Sequence, residues 1–402
     1  MTRLLIENVQ AMRPRAGVVG KSVLVEGGRI VAIDAAADAG VLRIDGGGRL
    51  LTPGLMDLHL HGMGLHLFEA GPDELTTGLK TLPQFGVTSA LPTLYRVMDR
   101  ASLPTLKALA SALDDVTAVR VPGFHLEGPF LALPGAGAET VPGDLALLDD
   151  LFEATAGRIA AMSVSPDTPN VLPVIERLVE RGVVVFLTHT HASVDQTLAA
   201  IEAGARHATH FYDVFPIPDV TEPGVRPAGA VEAILADERM SVDFIADGVH
   251  VHPVAIRAAL AAKGVERTLL ITDANIGAGL PAGVHDTPWG FPVRVAEGDG
   301  ARKHNPGKPG DGGLAGSALT MDLGMTNLLR WLDRPEHDVW SMGTRSVAQR
   351  MGWSDLGDLR EGAAADLVLW DRESDGRLHA NKTWQAGQLV FDANQTAAGS
   401  AT

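Results

Sequence analysis

The chain of 402 residues contains no cysteine. Disulfide bonds and thiolate metal ligands are therefore excluded, and histidine and carboxylate side chains are the only strong metal ligands available. The sequence also lacks an apolar run of about 18 residues, the length that a transmembrane helix needs. Its N-terminal apolar run is too short for a signal peptide. We therefore expect a soluble, cytoplasmic protein with no membrane partner.

Positive charge is scarce as well. The sequence has 33 lysines and arginines against 49 aspartates and glutamates, for a formal net charge of −16. This balance argues against nucleic acid and anionic membranes as partners and leaves a small-molecule substrate as the expected one. Hydrophobic residues make up 46% of the chain, so that a large folded core is expected rather than disorder.

The two ends of the chain differ from its middle. Short alternating runs separated by glycines, such as "KSVLVEGGRIVAID" near the start and "ADLVLWDRE" near the end, are typical of β-strands. We expect residues 1–52 and 356–402 to form one small β-sandwich domain together. Residues 53–355 are then left for a larger catalytic domain.

In this middle region, eight apolar strand-like runs alternate with helical patterns rich in alanine and leucine. The runs are "LLTPGLMDLHLHG", "VTSALPTL", "VPGFHLEG", "AAMSVSPD", "GVVVFLTHTH", "RHATHFYD", "MSVDFIAD" and "RTLLITDA". Such alternation predicts an α/β fold, a (β/α)8 TIM-like barrel. The glycine-rich segment 298–313 is predicted to be a loop or hairpin insertion.

Polar residues that can bind metal recur where these apolar runs stop, and in a barrel the chemistry collects at those ends of the strands. His59 and His61 share one face of a strand because residues i and i+2 point the same way. The other endings are Glu127, His189, His210, His250 and Asp273. This pattern predicts a metal-dependent hydrolase.

The ligand types fit one or two divalent transition metal ions, with zinc favoured and iron, cobalt or manganese as alternatives. We expect His59 and His61 to hold one ion, His189 and His210 to hold the other, and Glu127 to bridge them. Asp273 is expected to act as general base and then as general acid towards the leaving amine.

Several strings resemble the amidohydrolase superfamily and, within it, the N-acetylglucosamine-6-phosphate deacetylase family. They are "LTPGLMDLHLHG", "GFHLEGPFL", "THTHASVDQTLAAIEAGARHATHFYD", "DGVHVHP", "LLITDA", "LAGSALTMD" and "GDLREGAAADLVLWD". The resemblance implies a homodimer, and it implies that Glu127, His189 and His210 form the metal site found throughout these deacetylases. His59 and His61 match a pair for a second metal that only some members carry, so one or two ions remain open.

The same resemblance implies roles in substrate binding. His250 matches a histidine that polarises the amide carbonyl, and Asp273 matches the catalytic acid and base. The pocket is expected to be lined by the backbone near Ala138 and by Phe211, Tyr212 and Asp213.

Three departures from the family concern its phosphate site. Asp213 stands where the family has an asparagine, Thr221 replaces an arginine that reaches the phosphate, and Glu139 replaces a histidine. A phosphate would be repelled by the two carboxylates, at a cost of roughly a few kcal/mol, unless Arg226 compensates.

We therefore expect hydrolysis of an N-acyl bond, most simply in a non-phosphorylated N-acetyl amino sugar. N-acetylglucosamine-6-phosphate deacetylation is the first alternative, and a deaminase or other hydrolase on the same scaffold is the second. From another class, a non-catalytic small-molecule binder on the same fold is the third.

Overall fold

The computed structural model describes residues 3–35, 40–135 and 140–395. The strands, in chain order, are β1 (Arg3–Arg13), β2 (Gly17–Glu26), β3 (Arg29–Ile33), β4 (Leu42–Asp45), β5 (Leu50–Pro53), β6 (Leu55–Leu60), β7 (Gly62–Met63), β8 (His66–Leu67), β9 (Val87–Leu94), β10 (Phe124–Glu127), β11 (Ile159–Val164), β12 (Val184–Leu187), β13 (His207–Ala208), β14 (Ser241–Ile245), β15 (Thr268–Ile271), β16 (Gly283–His285), β17 (Val293–Val295), β18 (Ala301–Lys303), β19 (Leu314–Gly316), β20 (Leu367–Arg372), β21 (Leu378–Gln385) and β22 (Gln388–Asp392). The α-helices are α1 (Pro72–Thr81), α2 (Leu103–Ala112), α3 (Leu145–Ala154), α4 (Val171–Glu180), α5 (Val194–Ala203), α6 (Ala230–Ala236), α7 (Pro253–Lys263), α8 (Met321–Trp331), α9 (Glu336–Met342) and α10 (Arg345–Met351).

Eight parallel strands form a barrel in the order β15, β14, β13, β12, β11, β10, β9, β6. The ring nearly closes, because Leu60 at the end of β6 pairs in parallel with Ala274, just beyond β15. Each of the eight apolar runs in the sequence overlaps one of these strands, and seven of them contain it whole. The predicted (β/α)8 barrel is confirmed.

Strands from both ends of the chain form a second sheet, in the order β22, β21, β20, β5, β1, β2, β3, with β4 beside β1. The link between the two ends is the antiparallel pairing of β20 with β5, in which Leu367 lies opposite Pro53 and Trp370 opposite Leu50. The prediction that the termini combine into one β unit is confirmed, whereas the boundaries 1–52 and 356–402 stay a prediction.

The long connection after β15 carries a four-stranded antiparallel sheet, β16 to β19. Its own small core contains Val293, Val295 and Ala301, which are buried together with Ile276. The connection therefore packs onto the barrel mouth as a structured insertion.

Two of the crossover helices start with a side-chain cap. Ser193 and Gln196 form a capping box at the start of α5, and Asp144 accepts backbone N–H bonds at the start of α3. None of the helices in the described part of the chain combines the length and the apolar character that a membrane span requires.

Candidate metal centre and active site

The carboxyl ends of the barrel strands bring five predicted side chains into one buried cluster. His59 and His61 lie at the end of β6, Glu127 ends β10, and His189 and His210 follow β12 and β13. All five are buried. Residues far apart in sequence meet here because parallel strands end at the same edge of the barrel.

Glu127 lies at the centre of this cluster. Its Oε1 is 2.9 Å from Nε2 of His210 and 3.2 Å from Nε2 of His189. Its Oε2 is 3.4 Å from Nε2 of His61 and 3.6 Å from Nε2 of His59. One carboxylate thus faces four imidazoles, the arrangement expected of a ligand between two ion positions.

Asp273 follows β15, the strand that meets β6 where the barrel closes, and its side chain faces the same cluster. Its Oδ1 is 3.1 Å from Nε2 of His61 and 3.4 Å from Nε2 of His59, and its backbone N–H donates to the carbonyl of His59. Two sets of donor atoms lie close enough to share an ion: His59, Glu127 and His210, and His59, His61 and Asp273.

Two buried atoms of the cluster lack a hydrogen-bond partner among the described residues: Nδ1 of His189 and Oδ1 of Asp273. Because buried polar atoms are rarely left without a partner, these two atoms indicate a site that a ligand would fill by binding them. Nitrogen and carboxylate donors at such spacing fit a divalent transition metal ion.

The electrostatics of the cluster also suit a cation. Burial alone would lower the pKa of His61, but the adjacent carboxylates of Asp273 and Glu127 raise it to about 10. Burial likewise opposes ionisation of Glu127, yet the surrounding histidines hold the pKa of that carboxyl well below its usual range. The carboxylates are therefore ionised and attract positive charge, which protons on the imidazoles or a metal ion can supply.

Three of the cluster residues have left-handed backbone conformations: φ is +49° at His189, +34° at His210 and +49° at Asp273. Such conformations cost non-glycine residues on the order of 1–3 kcal/mol each and concentrate at functional sites. Each of the three residues comes shortly after the end of a strand, where the conformation turns the chain sharply.

His250 lies beside this cluster on the segment after β14. Its Nδ1 is 2.6 Å from Oδ2 of Asp247, whose Oδ1 accepts the backbone N–H of His250 at 3.0 Å. Burial would lower the pKa of His250, but the hydrogen bond and charge of Asp247 raise it above its usual value. Asp247 therefore fixes the ring and favours a proton on it.

The other residues predicted to contact the substrate lie in different surroundings. Phe211 is fully buried and packs against Phe244 and Phe215, while Tyr212 and Asp213 are half-buried in the same turn. Arg226 is not brought to the cluster, since its exposed guanidinium pairs with Glu232 at 3.0 Å. Ala138 and Glu139 lie outside the described residues.

Sequence reasoning missed the groups that orient the ligands. Nδ1 of His59 lies 2.9 Å from Oγ1 of Thr209, and Oγ1 of Thr188 lies 3.2 Å from Nε2 of His210. Both threonines directly precede a predicted ligand, a position that could have marked them. Asp247 is the last residue of the apolar run "MSVDFIAD", a position that could have marked it as well.

The sequence profile of the Amidohydrolase family matches residues 50–396, and the chain belongs to this family. It is accordingly a hydrolase that acts on an amide bond.

Among its relatives, the N-acetylglucosamine-6-phosphate deacetylase of Vibrio furnissii is 33% identical over 85% of this chain and 83% of its own length. The N-acetylgalactosamine-6-phosphate deacetylase of Shewanella sp. (strain ANA-3) is 32% identical over 86% and 84% of the two chains. Among solved structures, a mutant deacetylase of Mycobacterium smegmatis in complex with N-acetyl-D-glucosamine-6-phosphate is similar with a TM-score of 0.81 and 27% identity, over 97% of this chain and 100% of that one.

Proposed function

We propose that this amidohydrolase removes the acetyl group from an N-acetyl amino sugar, with an N-acetylhexosamine 6-phosphate as the favoured substrate. The observation that carries this proposal is the His–Glu–His cluster with Asp273 beside it, in a chain similar over most of its length to deacetylases of two such sugar phosphates. These relatives favour the phosphorylated alternative over the non-phosphorylated substrate expected from the sequence.

We infer that His59, His61, Glu127, His189 and His210 hold one or two divalent ions, with zinc as the expected metal. A bound ion would supply Lewis-acid activation of water and of the amide carbonyl. The support for this assignment is the donor set and its two orphaned atoms, His189 Nδ1 and Asp273 Oδ1.

The proton transfers fall to Asp273 in this proposal. Burial would raise its pKa, but the neighbouring His59 and His61 hold the pKa of Asp273 below its usual value, so that the carboxylate is free to accept a proton from the attacking water. The same carboxyl group then delivers that proton to the departing nitrogen. The amine leaves as a neutral group, and the second product is acetic acid, which becomes acetate by losing its remaining proton to solvent.

His250 is proposed to stabilise the negative charge that develops on the carbonyl oxygen. With Nδ1 engaged by Asp247 at 2.6 Å, the other ring nitrogen is the one left to face a substrate. The hydrogen bond and charge of Asp247, which raise the pKa of His250, favour a proton on that nitrogen, and a protonated nitrogen can donate to the carbonyl oxygen.

A non-phosphorylated N-acetyl amino sugar is the second candidate, and two observations favour it. Asp213 is half-buried in the turn that follows His210, where a carboxylate would repel a phosphate. Arg226, the cation that could compensate, already pairs with Glu232. Of the predicted pocket residues that the structure describes, Phe211 and Tyr212 would line the sugar, whichever form is used.

The deciding experiment compares kcat/KM for N-acetylglucosamine, N-acetylglucosamine 6-phosphate and N-acetylgalactosamine 6-phosphate on zinc-loaded protein. We expect a 6-phosphate to be preferred by at least about tenfold, or about 1.4 kcal/mol. The D273N variant and chelated protein serve as controls and should bind sugar without turning it over. Preference for the unphosphorylated sugar would select the second candidate, and no hydrolysis of any of the three would overturn both.

We also propose a homodimer. The loop after the turn that carries His210 exposes the apolar side chains of Ile217, Val220 and Val225, and Ile217 is 85% exposed. Sedimentation should give twice the 42.2 kDa of one chain, and I217K should weaken the dimer more than V254K, which changes an exposed valine on α7. A monomeric wild type would contradict this proposal.

The cytoplasmic location expected from the sequence stays a prediction.

A further inference from the structure

The turn that carries His210 is strained over its whole length. Besides His210, Tyr212 and Val214 have positive φ, at +78° and +53°. Neither residue is glycine, and the β-branched side chain of Val214 makes this conformation particularly unfavourable. Such a turn persists only where the surrounding structure holds it.

Asp243, on the neighbouring strand β14, supplies much of that hold. Its Oδ1 accepts the backbone N–H of His210 at 2.5 Å, and its own carbonyl accepts the backbone N–H of Phe211 at 2.9 Å. The side chain of Asp243 is fully buried. The first two residues of the strained turn are thus both bound to this one aspartate.

The carboxylate of Asp243 is itself fixed by a second pair of side chains. Nε2 of His207 lies 2.7 Å from Oδ2 of Asp243, and Nδ1 of His207 lies 2.6 Å from Oγ of Ser241. All three side chains are buried, and the ring of Phe186 packs 4.4 Å from that of His207. The carboxylate therefore has no freedom to rotate away from His210.

We propose that Asp243, oriented by His207 and Ser241, is a positioning residue that sets the backbone of His210 and thereby its geometry as a metal ligand. This inference rests on the metal site proposed above. Asp243 acts on the site through the main chain of His210, because its carboxylate is hydrogen-bonded to the backbone N–H of His210 and to the ring of His207.

The test uses two variants at Asp243 and two matched controls. D243A removes the acceptor for His210, whereas D243N keeps an oxygen for His210, and its amide can donate to His207 once that ring changes tautomer. The controls are D366A and D366N, because Asp366 is also buried, pairs with Arg120 and accepts a backbone N–H, from Ala386 at 2.7 Å. Asp366 lies outside the site cluster.

The readouts are the Zn²⁺ affinity of apoprotein, the absorption spectrum of Co²⁺-loaded protein and the melting temperature. We expect D243A to weaken Zn²⁺ binding by roughly 10- to 100-fold, as the loss of groups that orient ligands does elsewhere, and to alter the Co²⁺ spectrum. D243N should restore most of both properties. Both Asp366 variants should keep the affinity and the spectrum even where they melt earlier.

The inference is overturned if D243A binds Zn²⁺ and Co²⁺ as the wild type does, or if D243N loses as much affinity as D243A. If D243A does not fold, D243S decides in its place, because a serine hydroxyl is too short to reach His210. A wild type that binds no metal would instead refute the proposed metal site, so that the two failures are distinguishable.

Discussion

At the scale of single residues, Asp322 illustrates what burial of a carboxylate does. It lies in the first turn of α8, where its Oδ1 accepts the hydroxyl of Thr320 at 2.5 Å and the backbone N–H of Leu323 at 2.9 Å. Despite these bonds, burial raises the pKa of Asp322 to about 6. The folded state therefore holds a proton more tightly than the unfolded state does, and stability falls as pH rises from about 4 to about 6.

The D322N variant should remove this dependence, because the amide oxygen can accept both bonds without ionising. We expect the free energy of unfolding of D322N to gain on that of the wild type between pH 4 and 6, by about 1–3 kcal/mol, and the difference to level off above. Urea unfolding of both proteins at several pH values measures it. D333N, at an exposed position two residues after the same helix, controls for the loss of one negative charge. A D322N difference independent of pH would contradict the prediction.

The sequence predicted the site residues whose side chains can bind a metal ion or transfer a proton. His59, His61, Glu127, His210 and Asp273 could be predicted to converge because each follows an apolar run and because barrel strands end at one edge. Partners such as Asp243 and His207 could not be predicted in this way. A polar residue inside a strand run does not reveal which side chain on another strand it meets.

At the scale of elements, the barrel strands were predictable because buried parallel strands are nearly continuous apolar runs. Even β13, with only two residues, lies within a run chosen from the sequence. Helices α1, α2 and α4 to α7 also lie between successive barrel strands, where the alternation of the sequence predicted helices. Periodicity and apolar content together were sufficient for these elements.

The four-stranded sheet β16 to β19 is the part that the sequence described least well, because the predicted loop or hairpin insertion, residues 298–313, contains only β18 of its strands. These strands have three residues each. Strands this short carry too little alternation to be recognised, and their pairing depends on the small core around Val293. Helices α8 to α10 follow this sheet and were not singled out either.

At the scale of the whole molecule, the packing of Gly86 against Trp370 is one of the contacts that join the barrel to the terminal sheet. Gly86 comes just before β9 with φ at +75°, and a Cβ there would lie 2.2 Å from Cη2 of Trp370 on β20. The indole of Trp370 is fixed in turn, because its Nε1 donates to Oγ1 of Thr52 at 2.8 Å and its ring packs 5.4 Å from Trp340.

The G86A variant should therefore lose more stability than its backbone conformation alone explains. The matched control is G182A, since Gly182 has φ at +76° and open space around its Cβ. We expect about 1 kcal/mol of destabilisation for G182A and about 1–3 kcal/mol more for G86A, measured by denaturant unfolding. Substituting W370F should recover part of the extra loss, and equal losses in G86A and G182A would show that the junction is not tightly packed.

The pairing of β20 with β5 also has a consequence for the order in which the protein can be built. During translation, β5 leaves the ribosome more than 300 residues before its partner, because Leu51 lies opposite Leu369. Until then the nascent chain presents an open strand edge of the kind that invites wrong pairing between molecules. A strand synthesised late, β20, thus seals this edge, and a polypeptide released before it would be exposed to aggregation even with every residue of the candidate metal centre in place.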